Sequence, residues 1–277
     1  MVINTALFTG ANTQDAQAAI AVWAEVLSKR MAIGYELDFI MAPDLPSCLE
    51  AIASGEADII GLSGIDYVHY RQELPADPMV VGVWGEERRA TDQYLLLARA
   101  EDGPGDIASL AGGSLAIGTV DDGSTARMWL DVLLMREQRP TSEAYLRARS
   151  VDTSSHALLR TLFSQDDACI VTRRAYETMA ELNPQVGRDL IVLAESPGYL
   201  MQMACFRRRG DPEAREALVR AVKLLHLDPQ GQQILDLFRC DRAVLCGPDM
   251  LVTTEALVAE HRRLRLAHEE AEPPGRR

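Results

Sequence analysis

The sequence predicts an α/β protein in which short, largely parallel strands alternate with amphipathic helices. Apolar segments of strand length recur along the chain, segments with helical apolar spacing follow most of them, and the loops between them are short. Repeated units of this kind form sheets that carry helices on their faces. The 277 residues are enough for two such lobes.

The first ninety residues predict the start of one lobe. Strands are expected at 5–9, 36–41, 58–62 and 79–84, and helices at 13–31, 45–54 and 65–74. Gly55 is expected to end the second helix, because glycine readily adopts the left-handed conformation of a C-cap.

The block from 92 to 195 predicts a second, self-contained lobe. Its strands are expected at 93–99, 114–118, 145–151, 167–172 and 189–194, with helices that begin near Ser124, Ser154 and Arg173. A strand at 201–206 and helices at 212–225, 229–238 and 249–265 follow. The predicted domains are a discontinuous lobe I at 1–91 and 196–265, an inserted lobe II at 92–195, and a disordered polar tail at 266–277.

Charge and hydropathy exclude several classes of partner. The net charge is −13 and Lys and Arg form no stripe, which argues against nucleic acid and against an anionic membrane surface. No apolar run reaches the length of a membrane span, so no direct membrane insertion is expected. The chain opens MVINTALFTG without the pattern of a secretory signal. The expected location is therefore periplasmic if an export signal was removed and cytoplasmic otherwise.

The five cysteines favour no metal site, and no cofactor is expected. None belongs to a CxxC pair, and no histidine lies at metal-ligand spacing from them. Cys48, Cys169 and Cys205 lie in apolar runs that are typical of core residues. Cys240 and Cys246 flank a short connection, and a disulfide between them in an oxidising compartment stays open.

The segment DDGSTARMWLDVLL at 121–134 predicts the start of a helix. Ser124 or Thr125 can cap that helix, but the N–H groups of a helix N-terminus also bind anions. Capping and anion binding both stay open on this segment alone. α/β sheets bind ligands beyond the carboxyl ends of their strands, which makes the loops that leave strands candidate binding loops. They include 63–67, 119–125 and 172–174.

Four segments carry a resemblance to a known family. They are EAIASGEADIIGLSGIDYVHY, SLAGGSLAIGTVDDGSTARMWL, SVDTSSHALLRTLFSQDDACIV and LLHLDPQGQQILDLF. In this order and spacing they resemble the phosphonate/phosphite/phosphate-type family of ABC-transporter substrate-binding proteins, from the first strand to about Leu264. The resemblance implies a type 2 periplasmic-binding-protein fold with a ligand cleft between two lobes. It also implies a protein, expected to be a monomer, that closes over a small anionic ligand and presents it to an ABC transporter permease.

The resemblance also implies which residues bind the ligand. The family's serine–threonine helix start and its histidine correspond to Ser124, Thr125 and His156, whose donors suit an oxyanion. His156 has a second interpretation, as a cap of the helix that begins near Ser154. Where the family has a third hydroxyl, this chain has Ala126.

Four further residues are candidate contacts with a small oxyanion-bearing, phosphonate- or phosphite-like ligand: Ser63, Tyr67, Thr172 and Arg173. Ser63 either caps a helix or contacts the ligand, and Tyr67 either lines the cleft or packs on a neighbouring helix. Family members that hold an amine use acidic residues where this chain has Thr172, Arg173 and Arg174. That basic stretch is expected to repel an ammonium group and to favour a second anionic or polar group.

The leading hypothesis is a solute-binding protein that has no chemistry of its own and is not an enzyme. The alternative is a cytoplasmic enzyme or ligand sensor on the same fold, acting on a small organic anion. Against an enzyme, the expected loops hold no nucleophile–base pair, carboxylate dyad or metal set. A third possibility is a scaffold or sensory domain that contacts a partner through its acidic surface.

Overall fold

The computed structural model describes residues 1–4, 13–31, 37–102, 106–118 and 124–271. The chain divides into two compact units. Unit 1 contains Met1–Thr91 and Leu200–Val252, and unit 2 contains Asp92–Tyr199 and Thr253–Arg277. Both units are α/β, as the alternation of apolar segments and amphipathic helices predicts.

The regular elements follow the predicted alternation along most of the chain. The strands are, in chain order, β1 (Val2–Asn4), β2 (Ile40–Ala42), β3 (Ile59–Ser63), β4 (Ala76–Val83), β5 (Thr91–Arg99), β6 (Ser114–Gly118), β7 (Arg147–Ser150), β8 (Ala168–Thr172), β9 (Leu190–Leu200), β10 (Gln202–Arg207) and β11 (Arg242–Leu245). The helices are α1 (Thr13–Arg30), α2 (Leu45–Ser54), α3 (Gly64–Tyr70), α4 (Ser124–Arg136), α5 (Ser142–Tyr145), α6 (Ser154–Leu162), α7 (Arg173–Leu182), α8 (Pro184–Asp189), α9 (Pro212–Lys223), α10 (Pro229–Leu237) and α11 (Val252–Ala271).

The sheet of unit 1 is more antiparallel than the sequence predicts. Its strand order in the described residues is β11-β4-β10-β3-β1-β2. β1 pairs in parallel with β2 and β3, as expected for strand–helix units. β10 returns from the C-terminal part of the chain and pairs antiparallel with both β3 and β4, and β11 pairs antiparallel with β4. The prediction of a mainly parallel sheet therefore holds only for β1 to β3.

The sheet of unit 2 brings three strand ends to one edge. Its order in the described residues is β7-β6-β8-β5-β9. β6 is parallel to both β7 and β8, and β5 is antiparallel to β8. The carboxyl ends of β6, β7 and β8 therefore lie at a common edge, where α4, α6 and α7 follow them in the chain. This edge is called the strand-end edge below.

The core of unit 1 lies on both faces of its sheet, because successive side chains of a strand point to opposite faces. Ile60 and Leu62 belong to one apolar cluster, whereas Ile59 belongs to the other. Cys240 packs in the second cluster and Cys246 against the first. Neither thiol is part of a disulfide, so the disulfide left open by the sequence is not formed. Burial raises the pKa of the Cys246 thiol to about 11.

The C-terminal helix differs from its prediction in position and length. α11 follows a short 3₁₀ turn at Pro248–Leu251 and continues to Ala271, so part of the predicted disordered tail is helical. From Thr253 onward it belongs to unit 2, not to the first lobe. Glu260 lies 3.3 Å from Arg136 of α4, and the His261 Nε2 atom lies 3.4 Å from an Asp131 carboxylate oxygen.

Two other differences concern strands. The first strand predicted at 5–9 lies outside the described residues, and the structure places β1 just before it. β11, which the sequence analysis does not predict, adds an edge strand to unit 1. Its polar and apolar residues show no clear alternation of exposure, and its pairing with β4 determines its conformation.

A buried carboxylate joins several elements of unit 2. The Asp166 side chain accepts hydrogen bonds from Arg149 of β7 at 2.5 and 2.7 Å and from Arg160 of α6 at 2.6 Å. Arg99 of β5 donates to the main-chain oxygens of Thr161 and Asp166. Burial alone would raise the pKa of Asp166, but its hydrogen bonds and charge interactions with the two arginines hold it below the ordinary value.

Replacing Asp166 with Asn should lower the free energy of unfolding by about 3 kcal/mol, because two arginines lose their buried counter-ion. The measurement is chemical denaturation monitored by circular dichroism, with Asp189→Asn as the control. Asp189 forms an exposed pair with Arg188, and its loss should cost far less, because water and salt screen an exposed ion pair. Because the pKa of Asp166 is lowered on folding, the difference from wild type should shrink as the pH falls through the folded-state pKa. Equal costs for both variants would contradict this prediction.

A close backbone approach in unit 1 requires glycine at position 64. A Cβ atom added at Gly64 would overlap the main-chain oxygen of Leu200, and the Gly64 N–H donates to the oxygen of Met201 at 3.3 Å. The start of α3 thus packs directly against the segment that leads into β10.

Gly64→Ala should destabilise the protein by about 2 kcal/mol, because two backbone segments must separate to accept the methyl group. Gly187→Ala is the matched control, since its Cβ would lie 3.4 Å from the nearest described atom, in the side chain of Ala180. Alanine also suits a helix better than glycine. The control should be neutral or stabilising in the same denaturation experiment, and equal effects of the two substitutions would count against the close approach.

Candidate functional site

The first turn of α6 lies directly on the end of β6. The Ser154 hydroxyl donates to the main-chain oxygen of Gly118 at 2.6 Å. A Cβ atom at Gly118 would come within 2.8 Å of the Thr153 oxygen and the Ser154 Cα atom. Glycine at the end of β6 therefore allows the N-terminus of α6 to approach the strand-end edge.

Thr153, and not His156, caps α6. The Thr153 Oγ1 atom accepts a hydrogen bond from the His156 N–H at 3.1 Å. The His156 side chain is exposed, and its ring makes no hydrogen bond with any part of the chain that the structure describes. The capping interpretation of the His156 ring is therefore wrong. Its ring nitrogens remain accessible at the first turn of the helix.

Ser124 and Thr125 begin α4, but they differ in exposure. Ser124 is exposed, whereas the Thr125 side chain is almost completely buried. Ala126 is fully buried as well, so the position of the family's third hydroxyl is a core position in this chain. Ser124 is the more accessible hydroxyl of the predicted pair, and the loop at 119–123 lies outside the described residues.

α7 begins at the end of β8 with a cap and an ion pair. The Thr172 side chain accepts a hydrogen bond from the Ala175 N–H at 3.3 Å. The Arg173 Nε atom donates to the Gln93 side-chain oxygen at 2.8 Å, and its Nη2 atom lies 2.6 Å from a carboxylate oxygen of Glu195. The predicted ligand residues Thr172 and Arg173 therefore already have partners within unit 2.

The basic stretch is balanced by acidic groups of the same unit. Glu177 lies 3.7 Å from the Arg173 guanidinium, in addition to Glu195. The Arg174 Nε atom lies 3.9 Å from a carboxylate oxygen of Asp92. The two arginines therefore carry acidic partners that the sequence analysis did not include when it expected this stretch to repel an ammonium group. Sequence analysis missed Asp92, Gln93 and Glu195 because their proximity depends on the order of strands in the sheet.

Asp92 is the first residue of unit 2 and is only 7% exposed. Its burial raises its pKa, and this effect outweighs the hydrogen bond from the Gln93 N–H at 2.9 Å and the charge of Arg174, which both lower it. A buried carboxylate thus stands beside the strand-end edge, at the residue where the chain passes from one unit to the other.

The unit 1 candidates, Ser63 and Tyr67, lie at the end of β3 and on α3. The Ser63 hydroxyl accepts a hydrogen bond from the Asp66 N–H at 3.1 Å and donates to the Asp66 carboxylate at 2.6 Å. The N-cap interpretation of Ser63 is confirmed. Tyr67 packs against the apolar cluster of unit 1 that contains Ile60 and Leu62, and burial raises the pKa of Tyr67.

The described residues also bear on other kinds of site. No group of three or more His, Cys, Asp or Glu side chains among them is placed to hold a metal ion. None of the helices in the described ranges is both long enough and apolar enough to cross a membrane.

Asp92→Asn should change the pH dependence of stability. Because the pKa of Asp92 is raised on folding, the folded state holds its proton more tightly than the unfolded chain. The wild-type free energy of unfolding should therefore fall, relative to that of the variant, as the pH rises from the ordinary aspartate pKa through the raised value. Denaturation of both proteins across this pH range measures the effect, and a constant difference would contradict it.

Comparison with known proteins identifies the family. Residues 6–249 match the family model of the phosphonate periplasmic substrate-binding protein of ABC transporters. No curated protein matches the sequence.

Solved structures with the same fold include three that align over nearly the whole chain. A binding protein component of an ABC phosphonate transporter from Pseudomonas aeruginosa has a TM-score of 0.71 at 15% identity, covering 99% of this chain and 90% of that one. A Xanthomonas citri protein bound to ATP has a TM-score of 0.72 at 15% identity, covering 98% and 99%. PhnD1 from Prochlorococcus marinus, in complex with methylphosphonate, has a TM-score of 0.66 at 13% identity, covering 95% and 97%.

These structures have the type 2 periplasmic-binding-protein fold that the sequence predicts, with two mixed sheets flanked by helices. The family is one of transport binding proteins and not of enzymes. Its model covers most of the chain, from 6 to 249. The chain therefore belongs to the phosphonate substrate-binding protein family of ABC transporters.

Proposed function

We propose that this protein captures a small ligand with a tetrahedral phosphorus oxyanion, such as a phosphonate or phosphite, and delivers it to an ABC transporter permease. The observation that carries the proposal is the strand-end edge of unit 2. There, α4 and α6 begin with an exposed Ser124 hydroxyl and an exposed His156 ring. Donors at helix N-termini suit an oxyanion because the helix dipole adds positive potential.

In this proposal, Ser124 and His156 donate to the ligand oxygens, and Thr125 supports them from its buried position. His156 donates more strongly when it is protonated. Thr172 and Arg173 line the site at the start of α7, and Ser63 and Tyr67 are further proposed ligand residues. In this role Ser63 turns its single O–H from the Asp66 carboxylate to a ligand oxygen, because the lone pairs of a hydroxyl can only accept.

The known ligands of related folds support the choice of ligand class. Methylphosphonate is bound by the Prochlorococcus protein and ATP by the Xanthomonas protein. Both ligands end in a tetrahedral phosphorus oxyanion, although they differ greatly in size. We propose the small class for this chain because its family is named for phosphonate transport.

The proposal also fixes a place of action. The family consists of periplasmic substrate-binding proteins, and we propose that this chain works in the periplasm as a monomer, without a cofactor. Burial of Cys48, Cys169, Cys205 and Cys240 shields their thiols from oxidants. A cytoplasmic enzyme or sensor is the less supported alternative, because family membership favours transport.

A thermal-shift screen tests this function. Methylphosphonate, phosphite, phosphate, sulfonates and small carboxylates are added to the protein, and a phosphonate or phosphite should raise the melting temperature by several degrees. A ligand at 100 times its Kd adds about 2.7 kcal/mol to the free energy of unfolding. Ser124→Ala and His156→Ala should each weaken binding at least ten-fold, because each removes a hydrogen bond to a charged group.

Two control variants keep the test specific. Ser109→Ala changes an exposed serine of unit 2 that donates to Asp106 in a 3₁₀ turn before β6. His226→Ala changes a histidine of unit 1 in the turn after α9. Both should bind like wild type. No shift with any phosphorus oxyanion, or equal losses in all four variants, would refute the proposed function and its site.

A further inference from the structure

We propose that Arg173 and Glu195 form a paired specificity element that restricts this site to ligands whose group beyond the oxyanion is uncharged. The inference rests on the proposed function, because it presupposes an oxyanion bound at the strand-end edge. Of the expectation that the basic stretch favours a second anionic or polar group, it keeps the uncharged polar group and replaces the anionic one.

The strand order places this pair beside the proposed oxyanion donors. β8 pairs with β6, with Val171 opposite Gly118, and α7 begins two residues after Val171. Arg173 is therefore one strand away from the end of β6, on which the first turn of α6 packs. Glu195 lies in the middle of β9, next to Ser196, whose hydroxyl accepts a hydrogen bond from the Tyr94 N–H of β5 at 2.7 Å.

The charges of the pair are already satisfied by each other. The Arg173 Nη2 atom lies 2.6 Å from a Glu195 carboxylate oxygen, and the Arg173 Nε atom donates to Gln93 at 2.8 Å. The Arg173 side chain is 26% exposed and that of Glu195 48% exposed, so a ligand can approach either group. A charged ligand group that pairs with either side chain competes with this charge-assisted hydrogen bond, so it gains little net free energy.

The neighbouring arginine reinforces the balance. Arg174 lies 3.9 Å from Asp92, and Glu177 lies 3.7 Å from Arg173. Two arginines thus face three carboxylates, and the group is not a positive patch. An uncharged substituent leaves every pair intact, whereas a carboxylate meets the repulsion of the three acidic groups and an ammonium group meets that of the two arginines.

Neutralising each charge of the pair in turn tests the inference with three ligands that share the phosphonate group. Wild type should bind methylphosphonate at least ten-fold more tightly than phosphonoacetate or 2-aminoethylphosphonate. Glu195→Gln removes the counter-ion of Arg173, so phosphonoacetate should gain at least ten-fold. Arg173→Gln removes the counter-ion of Glu195, so 2-aminoethylphosphonate should gain at least ten-fold. The double variant should restore the preference for methylphosphonate, and isothermal titration calorimetry gives each Kd.

Asp189→Asn is the matched control, because it deletes one half of an exposed pair with Arg188 of α8. It should leave the order of the three ligands unchanged, and melting curves show that each variant is folded. Tight methylphosphonate binding with the same ligand order in every variant would overturn this inference and leave the proposed function standing. Wild-type preference for phosphonoacetate or 2-aminoethylphosphonate would also overturn it. If no phosphonate binds to wild type, the proposed function fails and this inference fails with it.

Discussion

Unit 2 buries the carboxylate of Asp166, and the hydrogen bonds that this carboxylate needs fix the positions of several elements. A buried charge is tolerated only when partners replace its lost water, and here Arg149 and Arg160 do so from a strand and a helix. Arg99 adds two hydrogen bonds to nearby main-chain oxygens, which ties β5 to the same point. The C-terminal part of α6 is thereby joined to the sheet at the edge opposite the strand ends.

The other end of α6 is fixed by contact and not by charge. The Ser154 hydroxyl bonds the last residue of β6, and the absence of a side chain at Gly118 lets the two backbones meet. A helix held at both ends cannot tilt or slide without breaking one of these contacts. The backbone that carries the exposed His156 ring at the first turn therefore has a fixed position. This favours a ligand site that is preorganised before binding over one that forms on binding.

Local signals predict much of the fold but little of the site. Gly55 ends α2 in a left-handed conformation, as the sequence predicts, and α7 runs over Arg173–Leu182 as expected. Insertion of β10 between β3 and β4 depends on pairing between distant segments, which no local pattern encodes. The same is true of Glu195 on β9, which meets Arg173 only because β9 shares a sheet with β8, the strand that α7 follows. Helix starts were predictable from capping chemistry, whereas charge balance around them was not.

The place of β10 in its sheet has a consequence for the order of events on the ribosome. β3 and β4 are synthesised early, yet the strand that joins them emerges only after β5 to β9 have been made. Until then, each has a strand edge that can pair with another chain. The sheet of unit 2 comes from one continuous segment and can form before the sheet of unit 1 is complete. Nascent chains of this protein thus pass through a stage with one sheet complete and the other open, in which chaperones have their clearest role.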